Sequence, residues 1–284
     1  MAIFSNQATL TYNGTTTNSN IAYGEILDVL TTTKTAIEGT YTPGTPVTYV
    51  VALRNTGNTA LNGLTITDDL GGYPFNGTTV YPLTYVEDSV SLFLNGTPQP
   101  APAVTAGPPL VVTGINVPAG GDAVLVYQAR ANAFADPALG ATIVNTVTVS
   151  GDGLSAPITA TETVTAEAAP ALTISKSITP SQVVDNDRVT YTFVIQNSGN
   201  QALIATDNAN ITDTFNPILT ALSVTFEGAA WTEGTQYNYD DTTGVFSTVA
   251  GQIVVPAATY TQDPVTGEYS VTPGIATLVV TGTI

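Results

Sequence analysis

The sequence contains no cysteine and no histidine, and only 5 lysines and arginines among its 284 residues. The first two absences exclude disulfide bonds, thiolate nucleophiles, the usual zinc sites and catalytic arrangements built on Ser-His or Cys-His pairs. The 22 acidic residues give a formal net charge of -17, which repels nucleic-acid backbones and anionic membranes. We therefore predict no enzyme, no cofactor, no metal site, no nucleic-acid partner and no membrane insertion.

Charged residues are also scarce, at 10% of the chain, whereas hydrophobic residues reach 43%. A chain of this length and apolar content is large enough for two ordinary domains with cores of their own. Threonine, valine, glycine and proline abound, and hardly any segment has the periodicity of an amphipathic helix. The composition predicts an all-β protein.

The chain contains an internal repeat. The start of the first copy, Leu30 to Thr35, recurs as Leu172 to Ser177. The repeat predicts three segments: residues 1–27 form an N-terminal donor strand segment, residues 28–167 a first domain, and residues 168–284 a second domain. Further matches, in chain order, are Val47-Thr48-Tyr49 with Val189-Thr190-Tyr191, Asn55-Thr56-Gly57-Asn58 with Asn197-Ser198-Gly199-Asn200, and Ile66-Thr67-Asp68 with Ile211-Thr212-Asp213.

The first dozen residues resemble the closing strand of the first domain. Residues 2–10 align without a gap with residues 141–149, and an Asn interrupts the apolar face in both stretches. The second domain has no counterpart of residues 132 to about 165, so we predict that it lacks its closing strand and that residues 1–27 supply such a piece. The anchors of the predicted donor strand are Phe4, Ala8, Leu10 and Tyr12.

The repeat motif resembles a known family. Lys34, Val47-Thr48-Tyr49, Arg54 to Asn58 and Thr65 to Leu70 resemble the repeat called "domain of unknown function 11", and the second copy matches through Lys176, Tyr191, residues 197–200 and Asp213. The resemblance implies two tandem immunoglobulin-like β-sandwiches and a structural role on a cell or spore surface. No signal peptide is recognised, so the export route stays open.

A sandwich that lacks one strand exposes an unpaired edge, which invites a strand from elsewhere. Insertion of residues 2–12 into the second domain of a neighbour is a head-to-tail contact, and it predicts a homopolymeric filament. Two alternatives remain: a monomeric adhesin or carbohydrate-binding module whose N-terminal strand completes its own second domain, or a disordered N-terminal tail.

The only two lysines, Lys34 and Lys176, occupy the same repeat position. Each shares a predicted core with an aspartate and an asparagine, because first and last strands are expected to lie side by side. Such a set predicts an autocatalytic isopeptide bond, in which the lysine amine attacks the Asn carboxamide and a protonated Asp assists. It resembles the Lys–Asn crosslinks of Gram-positive pilin and adhesin domains, and the alternative is a buried ion pair without covalent chemistry. The intramolecular set is Lys34, Asp68 and Asn145, and the intermolecular set is Lys176, Asp213 and Asn6.

Overall fold

The computed structural model describes residues 2–26 and 28–284, and the predicted all-β class is confirmed. The only helical segment in these residues is the 3-10 turn Ala205–Asp207. The chain forms two compact units: one contains the residues up to Ala135 together with Thr142–Thr165, and the other contains Asp136–Ala141 and Ala166–Ile284.

The N-terminal segment is a two-stranded antiparallel β-ribbon with one break, which we call the N-terminal hairpin. It consists of β1 (Ala2–Asn6), β2 (Thr9–Tyr12), β3 (Thr15–Asn18) and β4 (Ala22–Ile26), with β1 paired to β4 and β2 to β3. Asn13 and Gly14 connect β2 to β3 at φ values of 46° and 78°, as Asn-Gly hairpin turns require. The predicted donor strand is therefore one arm of a hairpin, with Gln7 and Ala8 between its two halves.

The first domain is a sandwich of two six-stranded sheets. Its strands are β5 (Leu30–Ala36), β6 (Thr40–Tyr41), β7 (Pro46–Asn55), β8 (Leu61–Asp68), β9 (Tyr73–Phe75), β10 (Thr78–Val80), β11 (Leu83–Tyr85), β12 (Ser91–Leu94), β13 (Thr97–Gln99), β14 (Ala103–Thr105), β15 (Leu110–Val117), β16 (Asp122–Ala131), β17 (Thr142–Ser150) and β18 (Ile158–Ala166). One sheet has the order β13-β12-β16-β7-β5, with β11 also paired to β16, and the other has the order β14-β15-β8-β17-β18-β6. The strands β9 and β10 pair with each other in a separate two-stranded ribbon.

Alternation of apolar and polar residues builds the core of this sandwich. Every second side chain of β7 and β16 is buried, and the facing sheet buries every second side chain of β17. A period of two places these side chains on one face of each strand, so the two sheets bury their apolar faces against each other. In β17 the buried face consists of Ile143, Asn145, Val147 and Val149.

The second domain repeats one sheet and only part of the other. Its strands are β19 (Leu172–Thr179), β20 (Arg188–Asn197), β21 (Thr212–Thr214), β22 (Thr220–Phe226), β23 (Ala229–Ala230), β24 (Tyr237–Asp240), β25 (Val245–Thr248), β26 (Thr259–Gln262), β27 (Tyr269–Thr272) and β28 (Gly274–Thr283). The main sheet has the order β19-β20-β28-β22-β23, and two smaller sheets have the orders β21-β25-β24 and β26-β27.

The two main sheets share their register. Phe193 of β20 pairs with Leu278 of β28, as Val51 of β7 pairs with Leu125 of β16. The smaller sheet differs, because β8 lies between β15 and β17 whereas its counterpart β21 pairs only with β25 among the described strands. One edge of β21 is therefore open where the first domain has β17.

Candidate functional site

Lys34 and Asp68 form a buried ion pair between the two sheets of the first domain. Lys34 Nζ lies 2.7 Å from Asp68 Oδ2, and the side chains are 0% and 2% exposed. The Tyr127 hydroxyl donates to the same Oδ2, and the Leu70 backbone N–H donates to Asp68 Oδ1 at 2.8 Å. The ammonium also lies 4.9 Å from the centre of the Tyr49 ring. The carboxylate is thus held in place from three directions.

Burial changes the protonation chemistry of this pair. Desolvation lowers the pKa of Lys34, and the neighbouring Asp68 carboxylate opposes part of that shift. Burial also raises the pKa of the Tyr127 hydroxyl, so it remains a hydrogen-bond donor to Asp68. The lysine amine is therefore shifted towards its neutral, nucleophilic form.

Asn145 completes the cluster from β17. It is fully buried, and neither atom of its carboxamide has a hydrogen-bond partner among the described residues; the same holds for the Tyr49 hydroxyl. The carboxamide still lies near the Tyr49 and Tyr127 hydroxyls, and side-chain hydrogen bonding with it opposes the rise that burial causes in the pKa of each phenol. The contacts themselves fall outside ordinary hydrogen-bond geometry. Burial of an amide without hydrogen-bond partners lowers the free energy of unfolding by about 1–3 kcal/mol. A reaction that consumes this carboxamide would explain why the core contains it.

One expectation about this cluster is wrong. The strands of Lys34 and Asn145 do not lie side by side, because β5 pairs with β7 in one sheet whereas β17 lies between β8 and β18 in the other. The chain changes sheets between β16 and β17, in residues 132–141. The lysine therefore approaches Asp68 across the core instead of along one sheet.

Lys176 and Asp213 form the equivalent pair in the second domain, but this pair is open. The Lys176 ammonium donates to Asp213 Oδ2, with side-chain exposures of 39% and 19%. Three aromatic rings surround the ammonium, with centroids at 4.5 Å for Tyr191, 5.3 Å for Phe215 and 5.4 Å for Phe193. Cation–π attraction thus holds the lysine over the core face of its sheet.

The donor anchors and Asn6 lie on the exposed N-terminal hairpin. Every side chain from Ile3 to Tyr23 is exposed, including Phe4, Leu10 and Tyr12. Their counterparts Ile143, Asn145, Val147 and Val149 are all buried in the first domain. The same sequence pattern is therefore covered in β17 and uncovered in the hairpin.

Sequence reasoning missed the role of Tyr127. Its signal was present, because Tyr127 is a polar-tipped residue on the buried face of β16, where Leu125 and Ala129 are its apolar neighbours. The second domain has Val280 at the equivalent position, opposite Tyr191 as Tyr127 is opposite Tyr49. The repeat comparison alone could not reveal a residue that only one copy contains.

No family model matches the chain, and no curated protein does so either. The resemblance to "domain of unknown function 11" therefore stays a prediction. No helix in residues 2–26 and 28–284 has the length and apolar character needed to cross a membrane.

Solved structures that resemble the chain include pilins and an adhesin. The major pilin subunit BcpA of Bacillus cereus matches with a TM-score of 0.38 and 8% identity, over 95% of this chain and 66% of that chain. The major pilin GBS80 of Streptococcus agalactiae matches with a TM-score of 0.36 and 12% identity, over 87% and 91%. A collagen-binding domain from a Staphylococcus aureus adhesin matches with a TM-score of 0.31 and 10% identity, over 49% and 99%. Similarities this low do not carry a function to this chain.

Proposed function

We propose that this protein is the structural subunit of a surface filament, in which the N-terminal hairpin of one subunit completes the second domain of the next. One observation carries the proposal: the hairpin exposes the residue pattern that β17 buries, and β21 leaves open the edge that β17 occupies in the first domain. The open edge of β21 and a hairpin arm that exposes the matching residue pattern are complementary surfaces.

The first domain supplies the register of the joint. Val147, Thr148 and Val149 of β17 pair with Asp68, Thr67 and Ile66 of β8. Transfer of this register through the repeat places Ala8, Thr9 and Leu10 of one subunit opposite Asp213, Thr212 and Ile211 of the next. In this register the core of the second domain is faced by Phe4, Ala8 and Leu10. Their counterparts in β17 face the core of the first domain.

The acceptor face is correspondingly uncovered. Leu30 of β5 is 3% exposed, whereas its counterpart Leu172 of β19 is 42% exposed. Ile174 and Ile178, on the same face as Lys176, are exposed too. Each large apolar side chain covered in the joint contributes about 1.5–3 kcal/mol. Several such contacts, with new ladder hydrogen bonds of about 0.5–1.5 kcal/mol each, offset an association cost of roughly 4–15 kcal/mol.

The joint is heterologous, because donor and acceptor are different surfaces of the subunit. A heterologous contact leaves a free donor at one end and a free acceptor at the other, so it propagates unless the geometry closes a ring. The expected assembly is a head-to-tail homopolymer on a cell or spore surface.

Within the first domain, the same proposal includes an isopeptide bond between Lys34 Nζ and Asn145 Cγ, with Asp68 as the proton carrier. The pairing of a buried amine whose pKa is lowered by desolvation with a buried carboxamide that lacks a hydrogen-bond partner supports it. Such a bond would join the two sheets covalently and replace a buried amine and a buried carboxamide with one uncharged amide.

Electron microscopy of the purified full chain tests the filament. We expect filaments from the unaltered protein and none after deletion of residues 2–26. Leu10→Asp places a charge on the buried face of the joint and should abolish filaments. Thr11→Asp, on the opposite face of the same strand, is the matched control and should retain them. Filaments that persist in the deletion variant would refute the proposal.

A further inference from the structure

We infer that insertion of the neighbour's N-terminal hairpin makes the Lys176–Asp213 pair reactive. An isopeptide bond between Lys176 and Asn6 of the inserted hairpin then forms between subunits, and only at a completed joint. This inference rests on the proposed function and specifies how its second-domain site is controlled. In the free subunit, Lys176 and Asp213 form their ion pair, but in the described part of the chain no strand shields the pair from solvent and no Asn carboxamide is bonded to it as an electrophile.

A comparison of the two sites shows what is missing. The Lys34–Asp68 pair has side chains that are 0% and 2% exposed, whereas the Lys176–Asp213 pair is 39% and 19% exposed. The carboxamide of Asn145 lies in the first site, and no asparagine side chain is bonded to Lys176 or Asp213 among the described residues. The first-domain site therefore differs from the second-domain site by the presence of β17 and its Asn145.

The N-terminal hairpin contains the missing part at the required position. Asn145 precedes Val147, the partner of Asp68, by two residues, and Asn6 precedes Ala8, the expected partner of Asp213, by two residues. Residues two apart on a strand share a face. Insertion in the register of the first domain therefore brings the Asn6 carboxamide to the core face that holds Lys176, and it covers that face.

The chemistry follows from burial of the pair. Removal of water disfavours the two charges, so a proton passes from the Lys176 ammonium to the Asp213 carboxylate. The neutral amine attacks Asn6 Cγ, and a new C–N bond forms. Asp213 transfers its proton to the departing amide nitrogen and accepts the second proton of the lysine nitrogen. The old C–N bond breaks, ammonia leaves, and Asp213 ends protonated; no oxidant, reductant or cofactor takes part.

The dependence on insertion prevents the bond from forming before two subunits are joined in the correct register. Water stabilises the charged form of an amine, and a protonated amine does not attack amides. Because the pair is exposed before insertion, we expect no bond in the free subunit. One bond forms at each joint, after the hairpin has inserted in the correct register.

Parallel native and denaturing measurements on the full chain test the inference. We expect filaments in the electron microscope and, from the same sample, a ladder of multimers that survives boiling in detergent. Proteolysis and mass spectrometry should then identify a peptide containing Asn6 joined to one containing Lys176, lighter than their sum by one ammonia. Filaments that dissociate entirely to monomers in detergent would overturn the bond and leave the proposed function standing. Absence of filaments would overturn both.

Substitutions locate the bond. Lys176→Arg retains the positive charge beside Asp213 but replaces the amine with a guanidinium that stays protonated, and Asn6→Ala removes the electrophile. We expect each to reduce the detergent-resistant multimers to background. Ser5→Ala, adjacent to Asn6 on the other face of β1, is the matched control and should retain the ladder. A ladder of unchanged intensity in Lys176→Arg or Asn6→Ala would overturn the inference.

Discussion

At the scale of single residues, a buried polar cluster lowers the stability of the first domain. Lys34 and Asp68 are charged groups removed from water, and Asn145 has no hydrogen bond that offsets its burial. Removal of one partner from a buried ion pair typically costs about 3–5 kcal/mol, whereas an apolar pair of similar size costs little. Conversion of the amine and the carboxamide to one uncharged amide would remove most of this burden.

The mass of the subunit tests the first-domain bond. The measurement uses an Asn6→Ala background, in which the second-domain bond cannot form. We expect the denatured Asn6→Ala monomer to be lighter than its sequence by one ammonia, and the Asn6→Ala, Asn145→Ala double variant to have its full sequence mass. A full sequence mass in Asn6→Ala alone would contradict the bond.

The pH dependence of stability gives a second prediction for the same site. In Asn145→Ala the Lys34 amine stays free, and burial lowers its pKa in the folded state below the unfolded value of about 10.4. Between these two pKa values the unfolded chain binds more protons, so the free energy of unfolding should rise with pH up to about 10.4. The crosslinked nitrogen does not titrate, so the wild-type protein should lack this contribution. Denaturant unfolding across this pH range measures the difference, and equal slopes in the two proteins would contradict the bond.

At the scale of elements, the repeat made most of the architecture predictable. Period-two patterns identified the strands, and the alignment of residues 2–10 with residues 141–149 identified the hairpin arm that resembles β17. The sheet to which each strand belongs was not predictable, because the crossover in residues 132–141 carries no pairing signal. The break at Gln7 and Ala8 was also missed; there the Ala8 N–H donates to the Ser19 hydroxyl of the other arm. The contribution of Tyr127 depends on its contact with Asp68 across the core, which one strand pattern does not encode.

The exposed face of β19 leads to a prediction about the acceptor. Ile174→Asp should weaken assembly by about tenfold or more, because loss of one covered apolar side chain costs about 1.5–3 kcal/mol. The thermal stability of the free subunit should hardly change, since Ile174 is already exposed there. Thr173→Asp, on the opposite face, is the control. Light scattering measures assembly, and equal assembly of both variants would show that β19 is not covered in the joint.

At the scale of the whole molecule, the chain has an exposed N-terminal hairpin and an open edge in its second domain. In the proposed filament, strand pairing would supply the register of each joint, and lysine–asparagine chemistry would supply a covalent bond without cysteine. The net charge of -17 opposes unspecific association of subunits, so the specific joint has to supply the attraction.

The most direct measurement of the central claim is disulfide trapping of the joint, for which the absence of natural cysteine provides a clean background. Thr148 and Thr67 are cross-strand partners in the first domain, so Thr9 and Thr212 should be partners between subunits. In a Lys176→Arg background, Thr9→Cys with Thr212→Cys should give a ladder of multimers on oxidation that disappears on reduction. Thr17→Cys with Thr212→Cys, which uses the other arm of the hairpin, should give none. Monomers alone, or a disulfide closed within one chain, would contradict donation of the hairpin to a neighbour.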